Sequence, residues 1–425
     1  MAESGSSDAQ AQRNAAISAY HRGDADALAL VSAALKNNPN DGGLLISEAA
    51  LRLSRHESEP LARLEDILGR APDWVDGHVA LAGFRWEMGD TEGYLGEIEA
   101  ALHKLPRHAG LWKNYISLLA GSGKLLAAAD AAQTARETGF DMPMLRLIEA
   151  MHTGAGGDLG RASALFKDLP RELPDLPQQL ARHRLRTGDL DAAIVELDEA
   201  RSRHPDDVSN WALTEIAWRL AEDPRHDWLV GDGALFGPAD LEMSETELAD
   251  LADLLRDLHA SGSAPIGQSV RSGTQTRGNI FKRIERPIQN LRGRLAVAVS
   301  EFWKALPARD DAHPLLRHRD AKPTFVTGWS IRIMGGGFHV SHVHPAGVLS
   351  SAFYAAVPDA LDPERQEGWI ELGRPPEDLK IDLEPLATIA PRPGRLVLFP
   401  SYLYHGTRAF PAGERMSVAF DIAPS

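Results

Sequence analysis

Five side chains near the C-terminal end have the types and spacing to hold a metal ion beside a carboxylic acid. His342 and His344 flank Val343, His405 follows some sixty residues later, and Arg415 and Ser417 lie ten and twelve residues beyond it. In an extended segment, residues i and i+2 leave the same face, so His342 and His344 can direct both imidazoles into one cavity. His405 comes after a Pro393-Gly394 turn and the apolar run Arg395-Leu396-Val397-Leu398-Phe399, which reads as a turn and a buried strand. Imidazole suits iron, zinc, copper and nickel alike, so the ligand types leave the metal open. His339 is near enough to compete, but it lies an odd number of residues from both 342 and 344 and faces away on a regular strand. The segment 415–420 alternates, with Arg415, Ser417 and Ala419 on one face and Met416, Val418 and Phe420 on the other. A planar guanidinium with a hydroxyl beside it is a fork for a carboxylate. A metal cage alone has no use for one.

The elements that would position these groups are strands at 329–334 and 348–357, separated by Gly335-Gly336-Gly337. A helix over Pro287 to Leu306, with Leu291, Leu295, Val299 and Phe302 on one face, is expected to buttress the sheets from outside. Trp329, Ile331, Ile333, Phe353, Trp369 and Phe399 are the apolar candidates for wall or core.

The run His342-x-His344-Pro345, then Leu349-Ser350, Phe353-Tyr354, Leu398-Phe399-Pro400-Ser401, His405 and Arg415-x-Ser417 resembles the 2-oxoglutarate and iron(II)-dependent oxygenases of the double-stranded β-helix superfamily. The resemblance covers roughly residues 265–425. It implies a jelly-roll fold, Fe(II) as the metal and 2-oxoglutarate as co-substrate. It also implies His342 and His405 as iron ligands, and Arg415 with Ser417 as the anchor of the far carboxylate of 2-oxoglutarate. A carboxylate is usual where this chain has His344. His344 is read as the third ligand from its position and face, the alternative being a two-histidine site completed by water. Ser351 and Phe353 stand where the related subfamily tends to have Gly and Tyr, and Tyr354 is expected as a hydrogen-bond partner of the co-substrate. In such a site three ligands fill one face of an octahedron, the co-substrate takes two positions and dioxygen the last. The co-substrate is decarboxylated to succinate while a substrate C–H bond is hydroxylated.

The remaining half of the chain is periodic. Gly23, Gly89, Gly123, Gly157 and Gly188 are spaced 66, 34, 34 and 31 residues apart, and Pro39, Pro72, Pro106 and Pro205 keep the same beat. The last unit has Gly188-Asp189 in a turn, then Ala192, Ala193, Leu197 and Ala200 at helical spacing. This resembles degenerate tetratricopeptide repeats. The expected fold is therefore multidomain α plus β, an N-terminal α-solenoid of helical hairpins followed by a C-terminal jelly roll with flanking helices. The expected boundaries are a disordered tail at 1–11, the repeats at 12–225, a linker with an acidic helix at 226–264 and the jelly roll at 265–425. Within the linker, Ser244 and Glu247 have capping-box spacing before a helix ending near Leu258. The polar segment Ser269 to Thr276 reads either as a border of the site's mouth or as an ordinary connector.

A net charge of −15 excludes nucleic acid or an anionic membrane surface as the main partner, and a basic or neutral partner fits better. The chain has no cysteine, so disulfides and thiolate ligands are excluded. Residues 1–14 have no apolar core of a secretory signal, and no apolar span has membrane length. A cytoplasmic protein is expected, and the oligomeric state stays open. Two readings of function differ in class. One is an oxygenase that uses 2-oxoglutarate and O2 to hydroxylate a peptide or protein selected by the repeats. The other is a repeat adaptor whose barrel binds metal without turnover. A cupin-like metal enzyme without 2-oxoglutarate would leave Arg415 unexplained.

Overall fold

The computed structural model describes residues 2–259 and 262–425. Its first half is a stack of helical hairpins: α1 (Ala2–Arg22), α2 (Ala27–Asn37), α3 (Gly42–Ser54), α4 (Ala62–Arg70), α5 (Val75–Glu87), α6 (Gly96–Lys104), α7 (Ala109–Gly121), α8 (Leu125–Glu137), α9 (Pro143–Ala155), α10 (Leu159–Lys167), α11 (Leu176–Thr187), α12 (Leu190–Arg203) and α13 (Val208–Leu220), closed by the short α14 (Arg225–Val230). The glycines that set the period in sequence all take φ between 76° and 98°. That left-handed conformation ends a helix and reverses the chain, and a Cβ would oppose it. The prolines have a matching role. The carbonyls of Pro72, Pro106 and Pro205 meet a side-chain N–H six residues on, from His78 at 3.0 Å, Trp112 at 2.9 Å and Trp211 at 2.7 Å, which ties each turn to the next helix. Between hairpins the packing is close because the facing residues are small, as in the buried Ala128, Ala129, Ala132 and Ala135 of α8.

The second half is built on β1 (Gly237–Asp240), α15 (Glu245–Leu258), β2 (Val270–Gln275), α16 (Arg286–Ala305), β3 (Pro323–His339), β4 (Leu349–Ala356), β5 (Ile370–Leu372), β6 (Ala387–Ile389), β7 (Arg395–Pro400), β8 (His405–Thr407) and β9 (Glu414–Pro424). One antiparallel sheet has the order β1-β7-β4-β9-β3-β2 and the other β6-β5-β8. The pair makes a jelly roll, or double-stranded β-helix. Alternation assigns the faces. Leu349 and Phe353 of β4, Leu396 and Leu398 of β7, and Met416, Val418, Phe420 and Ile422 of β9 join one core with Leu251 and Leu255 of α15 and Leu291, Leu295 and Val299 of α16. The intervening residues, among them Tyr354, Phe399, Arg415, Ser417 and Asp421, point between the sheets. α15 begins with the expected capping box of Ser244 and Glu247.

Three expectations change. Residues 2–11, expected to be disordered, are the first turns of α1. Alanines at 2, 9 and 11 and Gln10 favour the helix upstream of the buried Ala16 and Ala19. Gly335–Gly337 do not separate two strands but form a bulge inside β3. There the pairing shifts from Arg271↔Phe338 to Gly273↔Ile333, and a Cβ on Gly337 would lie 2.7 Å from the carbonyl oxygens of Arg271 and Ser272. Residues 226–264 are not only a connector, because Gly237–Asp240 pairs with β7 as an edge strand of the large sheet.

The two halves meet along one line of helix ends. Many of the contacts come from the C-terminal halves of odd-numbered helices, which share one side of the stack. Glu87 of α5 holds Arg277 at 2.6 Å, Trp86 donates to the Ala264 carbonyl at 3.2 Å, and the Gly121 carbonyl at the end of α7 accepts from Gly267 N at 3.1 Å. From α11, Arg182 binds Asp378 at 2.7 Å, and Arg186 binds the same carboxylate. Arg219 of α13 donates to the Gly373 carbonyl at 2.9 Å. No helix among the described residues is long and apolar enough to cross a membrane.

His259, at the end of α15, is buried between Thr274 of β2 at 2.7 Å and Ser330 of β3 at 3.0 Å. Burial, with the charge of Arg332 adding to it, pushes its pKa down to about 4. The folded state therefore holds this imidazole neutral while the unfolded chain protonates it near pH 6.5. Its stabilisation is complete above that pH and is lost as the pH falls from 6.5 towards 4, a change of roughly 3 kcal/mol. Urea unfolding of the wild type should weaken over this window more steeply than that of His259→Gln, and parallel slopes would contradict the assignment.

Candidate active site

His342 and His405 face each other in an isolated antiparallel bridge, each backbone N–H donating to the other's carbonyl at 3.0 Å. The chain at 342–344 is extended but makes no longer strand. The i, i+2 rule still holds, since the Nε2 atoms of His342 and His344 are 3.1 Å apart. One ligand atom from each of His342, His344 and His405 lies within 4.8 Å of the others. Their far nitrogens are all committed. Nδ1 of His342 meets the Val340 carbonyl at 2.9 Å, Nδ1 of His405 the Leu403 carbonyl at 3.1 Å, and Nδ1 of His344 a carboxylate oxygen of Asp421 at 2.7 Å. Acceptors at every Nδ1 place the proton there and leave three Nε2 lone pairs converging on one point. Burial pushes the His342 pKa down to about 3 and that of His405 well below its ordinary value, so both imidazoles stay neutral and able to ligate.

Arg415 is 1% exposed. One terminal nitrogen donates to the Gly368 carbonyl at 2.8 Å and the other to Thr407 Oγ1 at 3.0 Å, while the buried Nε has no partner. No carboxylate among the described residues pairs with it, and burial lowers its pKa. The Tyr354 hydroxyl is likewise buried without a partner, and Tyr354 is in register with Ser417 across β4 and β9. A buried guanidinium lacking an anion is costly. A dicarboxylic acid reaching from the histidines to Arg415 would remove that cost, so the residues present fit both a divalent metal and 2-oxoglutarate.

Sequence alone does not point to Asp421 or Thr407, yet a signal was there for each. Asp421 continues the inward alternation Arg415, Ser417, Ala419. It is 2% exposed and also accepts from Ser350 Oγ at 2.9 Å. Thr407 is the i+2 neighbour of His405. His339 departs from the expectation that it faces away. β3 ends there, and the ring stacks beside His342 with centroids 6.0 Å apart. Ser269 joins the two, its hydroxyl 3.0 Å from His339 Nδ1 and 3.1 Å from His342 Nε2. Of the apolar candidates, Trp329 and Ile331 line the cavity and Phe399 packs on His405 at 4.6 Å. Phe353 instead faces the helices, on the opposite side of β4 from Tyr354. Ser351 exchanges hydrogen bonds with the backbone of Phe420 at 2.8 and 3.0 Å, which a glycine there would not provide.

The site opens into a cavity of about 1030 Å³. Its far wall comes from the helical half, through Ala120, Gly121, Gly123, Leu125 and Arg182, and its rim from the polar segment 268–277. The expected alternative of an ordinary connector at Ser269–Thr276 therefore gives way to the border of the mouth.

Two facing antiparallel sheets with three histidines and a buried arginine between them make a double-stranded β-helix with a candidate site for a metal and a carboxylate. In accord with this, residues 327–421 match the family model described as "Putative 2OG-Fe(II) oxygenase". That match implies Fe(II) and 2-oxoglutarate as metal and co-substrate. No curated protein matches the chain. Among solved structures, a tetratricopeptide repeat protein from Parabacteroides merdae ATCC 43184 is similar at 16% identity and a TM-score of 0.37, over 51% of this chain and 88% of that one. HygX from Streptomyces hygroscopicus, solved with nickel, 2-oxoglutarate and hygromycin B bound, is similar at 16% identity and a TM-score of 0.30, over 47% of this chain and 87% of its own. A prolyl-4-hydroxylase from Pseudomonas putida is similar at 15% identity and a TM-score of 0.31, over 47% of this chain and 99% of that one.

Proposed function

We propose that the protein is a cytoplasmic Fe(II)- and 2-oxoglutarate-dependent dioxygenase that hydroxylates a substrate held between its two halves. His342, His344 and His405 hold the metal through Nε2, and Arg415, with Ser417 and Tyr354, holds the far carboxylate of the co-substrate. When bound, the metal and co-substrate supply the oxidising chemistry by activating O2. The protein positions and shields. Trp329, Ile331 and Phe399 keep water from the centre, and the Nδ1 acceptors fix each imidazole. The observation that carries this reading is the convergence of three Nε2 lone pairs on a cavity that also contains a buried guanidinium without an anion. An adaptor with an inactive barrel has no use for that unpaired charge.

Substrate selection by the repeats, if the substrate is a peptide or protein, works through the cavity wall at 120–125. A peptide lying along the whole line of odd-numbered helix ends would meet the chain's own segments 262–268 and 275–283. The direct test is succinate formation from 2-oxoglutarate with Fe(II) and O2, in the presence and absence of peptides and small molecules. Turnover supports the enzyme, whereas failure to bind 2-oxoglutarate in the presence of Fe(II) contradicts it.

Asp421 explains how this site works with a histidine where a carboxylate ligand is usual. Its negatively charged carboxylate stands directly behind His344, accepts from Nδ1 and so orients Nε2 as a donor to the metal. Asp421→Asn keeps an acceptor for His344 and for Ser350 but removes the charge. Anaerobic Fe(II) titration of this variant is expected to show affinity roughly 10- to 100-fold weaker, with unchanged thermal unfolding of the metal-free protein. Equal affinity would show that the charge does not reach the metal.

A further inference from the structure

Besides the histidines and Tyr354, the ionisable groups that line the cavity are Arg182, Arg271, Arg277 and Arg415 against Asp378 and Asp421. An excess of cations in a chain of net charge −15 is a local feature that composition hides. Three of the four arginines are accounted for. Arg182 is paired with Asp378 at 2.7 Å and Arg277 with Glu87 at 2.6 Å, and Arg415 serves the co-substrate. Arg271 is exposed, and among the described residues it has no carboxylate partner. One of its terminal nitrogens donates to the carbonyls of Gln268 at 2.9 Å and Val270 at 3.0 Å.

The backbone around Arg271 is fixed at a cost. Ser272 has φ of 52°, in the left-handed region that non-glycine residues rarely occupy. The bulge it forms on β2 fits against the glycine bulge of β3. This arrangement places Arg271 two residues from Ser269, whose hydroxyl touches both His339 and His342. Bulges next to a site commonly re-aim a side chain.

Building on the oxygenase reading, we infer that the substrate carries an oxyanionic group, a carboxylate or a phosphate, which Arg271 receives at the cavity mouth while the bond to be oxidised lies toward the histidines. The planar fork of a guanidinium suits either oxyanion.

The test uses the full chain loaded anaerobically with Fe(II) and saturating 2-oxoglutarate, so that Arg415 is already occupied. Acetate and inorganic phosphate are titrated separately while the Arg271 Nε resonance is followed by NMR, assigned by its loss in Arg271→Gln. The expected result is a saturable shift of that resonance with at least one anion and, by isothermal titration calorimetry on both proteins, roughly tenfold or weaker affinity in Arg271→Gln. Which of the two anions binds more tightly tells carboxylate from phosphate. Arg271→Gln should leave 2-oxoglutarate affinity unchanged. A resonance that neither anion moves, or equal anion affinity in Arg271→Gln, would overturn the inference while 2-oxoglutarate binding still stands. Failure of 2-oxoglutarate to bind the wild type is a separate result that removes the oxygenase reading itself.

Discussion

Arg415→Ala is expected to bind Fe(II) as tightly as the wild type and to lose most of its affinity for 2-oxoglutarate. The guanidinium lies between the sheets, 1% exposed, with its Nε unpaired and no carboxylate beside it. Removing one partner of a buried, hydrogen-bonded charge pair costs about 2–5 kcal/mol, which is roughly a thirtyfold to few-thousandfold loss of affinity. The metal-free protein should not suffer in the same way, because the wild type carries the uncompensated charge. Thermal unfolding of Arg415→Ala without ligand is therefore expected to match or exceed that of the wild type, and only the wild type should gain stability on adding 2-oxoglutarate with Fe(II). Lysine is a poor replacement. It offers a point charge in place of a fork and cannot reach Gly368 and Thr407 together with a carboxylate. Isothermal titration under anaerobic conditions measures both affinities, and normal 2-oxoglutarate binding by Arg415→Ala would remove the anchor assignment.

His405→Ala is expected to abolish Fe(II) binding. His405 Nε2 is one of three converging donors, and its Nδ1 is tied to Leu403, which fixes the ring in that position. Its loss should exceed the roughly 10- to 100-fold effect of removing an outer partner. The backbone bridge to His342 does not depend on the side chain, so the fold should survive. His344→Ala belongs in the same titration. A comparable loss places His344 among the ligands, whereas wild-type affinity would leave a two-histidine site with water as the third donor.

Much of this centre was legible in the sequence because strand periodicity is strict. His342 with His344, and Arg415 with Ser417, share faces by the i, i+2 rule, and one step beyond His405 and two beyond Ser417 would have reached Thr407 and Asp421. His339 was misplaced for the complementary reason. The rule holds only along a regular strand, and β3 ends at that residue. The repeats were legible through their turn glycines, whose positive φ is a local requirement. The bulge at Gly335–Gly337 was not, because three glycines in a row also describe a loop, and only the backbone of Arg271 and Ser272 passing 2.7 Å from where a Cβ would sit explains them. Least legible was the relation of the halves. Ion pairs such as Glu87 with Arg277 and Arg182 with Asp378 join residues about two hundred positions apart, and no local pattern announces them. The charge of the cavity lining, four arginines against two aspartates, is equally hidden, since composition averages over it.

The most direct test of the central claim is electron density from crystals grown anaerobically with Fe(II) and 2-oxoglutarate. One metal ion bound by His342, His344 and His405, with the dicarboxylate extending from it to Arg415 and Ser417, is the expected result. A metal held elsewhere, or 2-oxoglutarate bound away from Arg415, would contradict it.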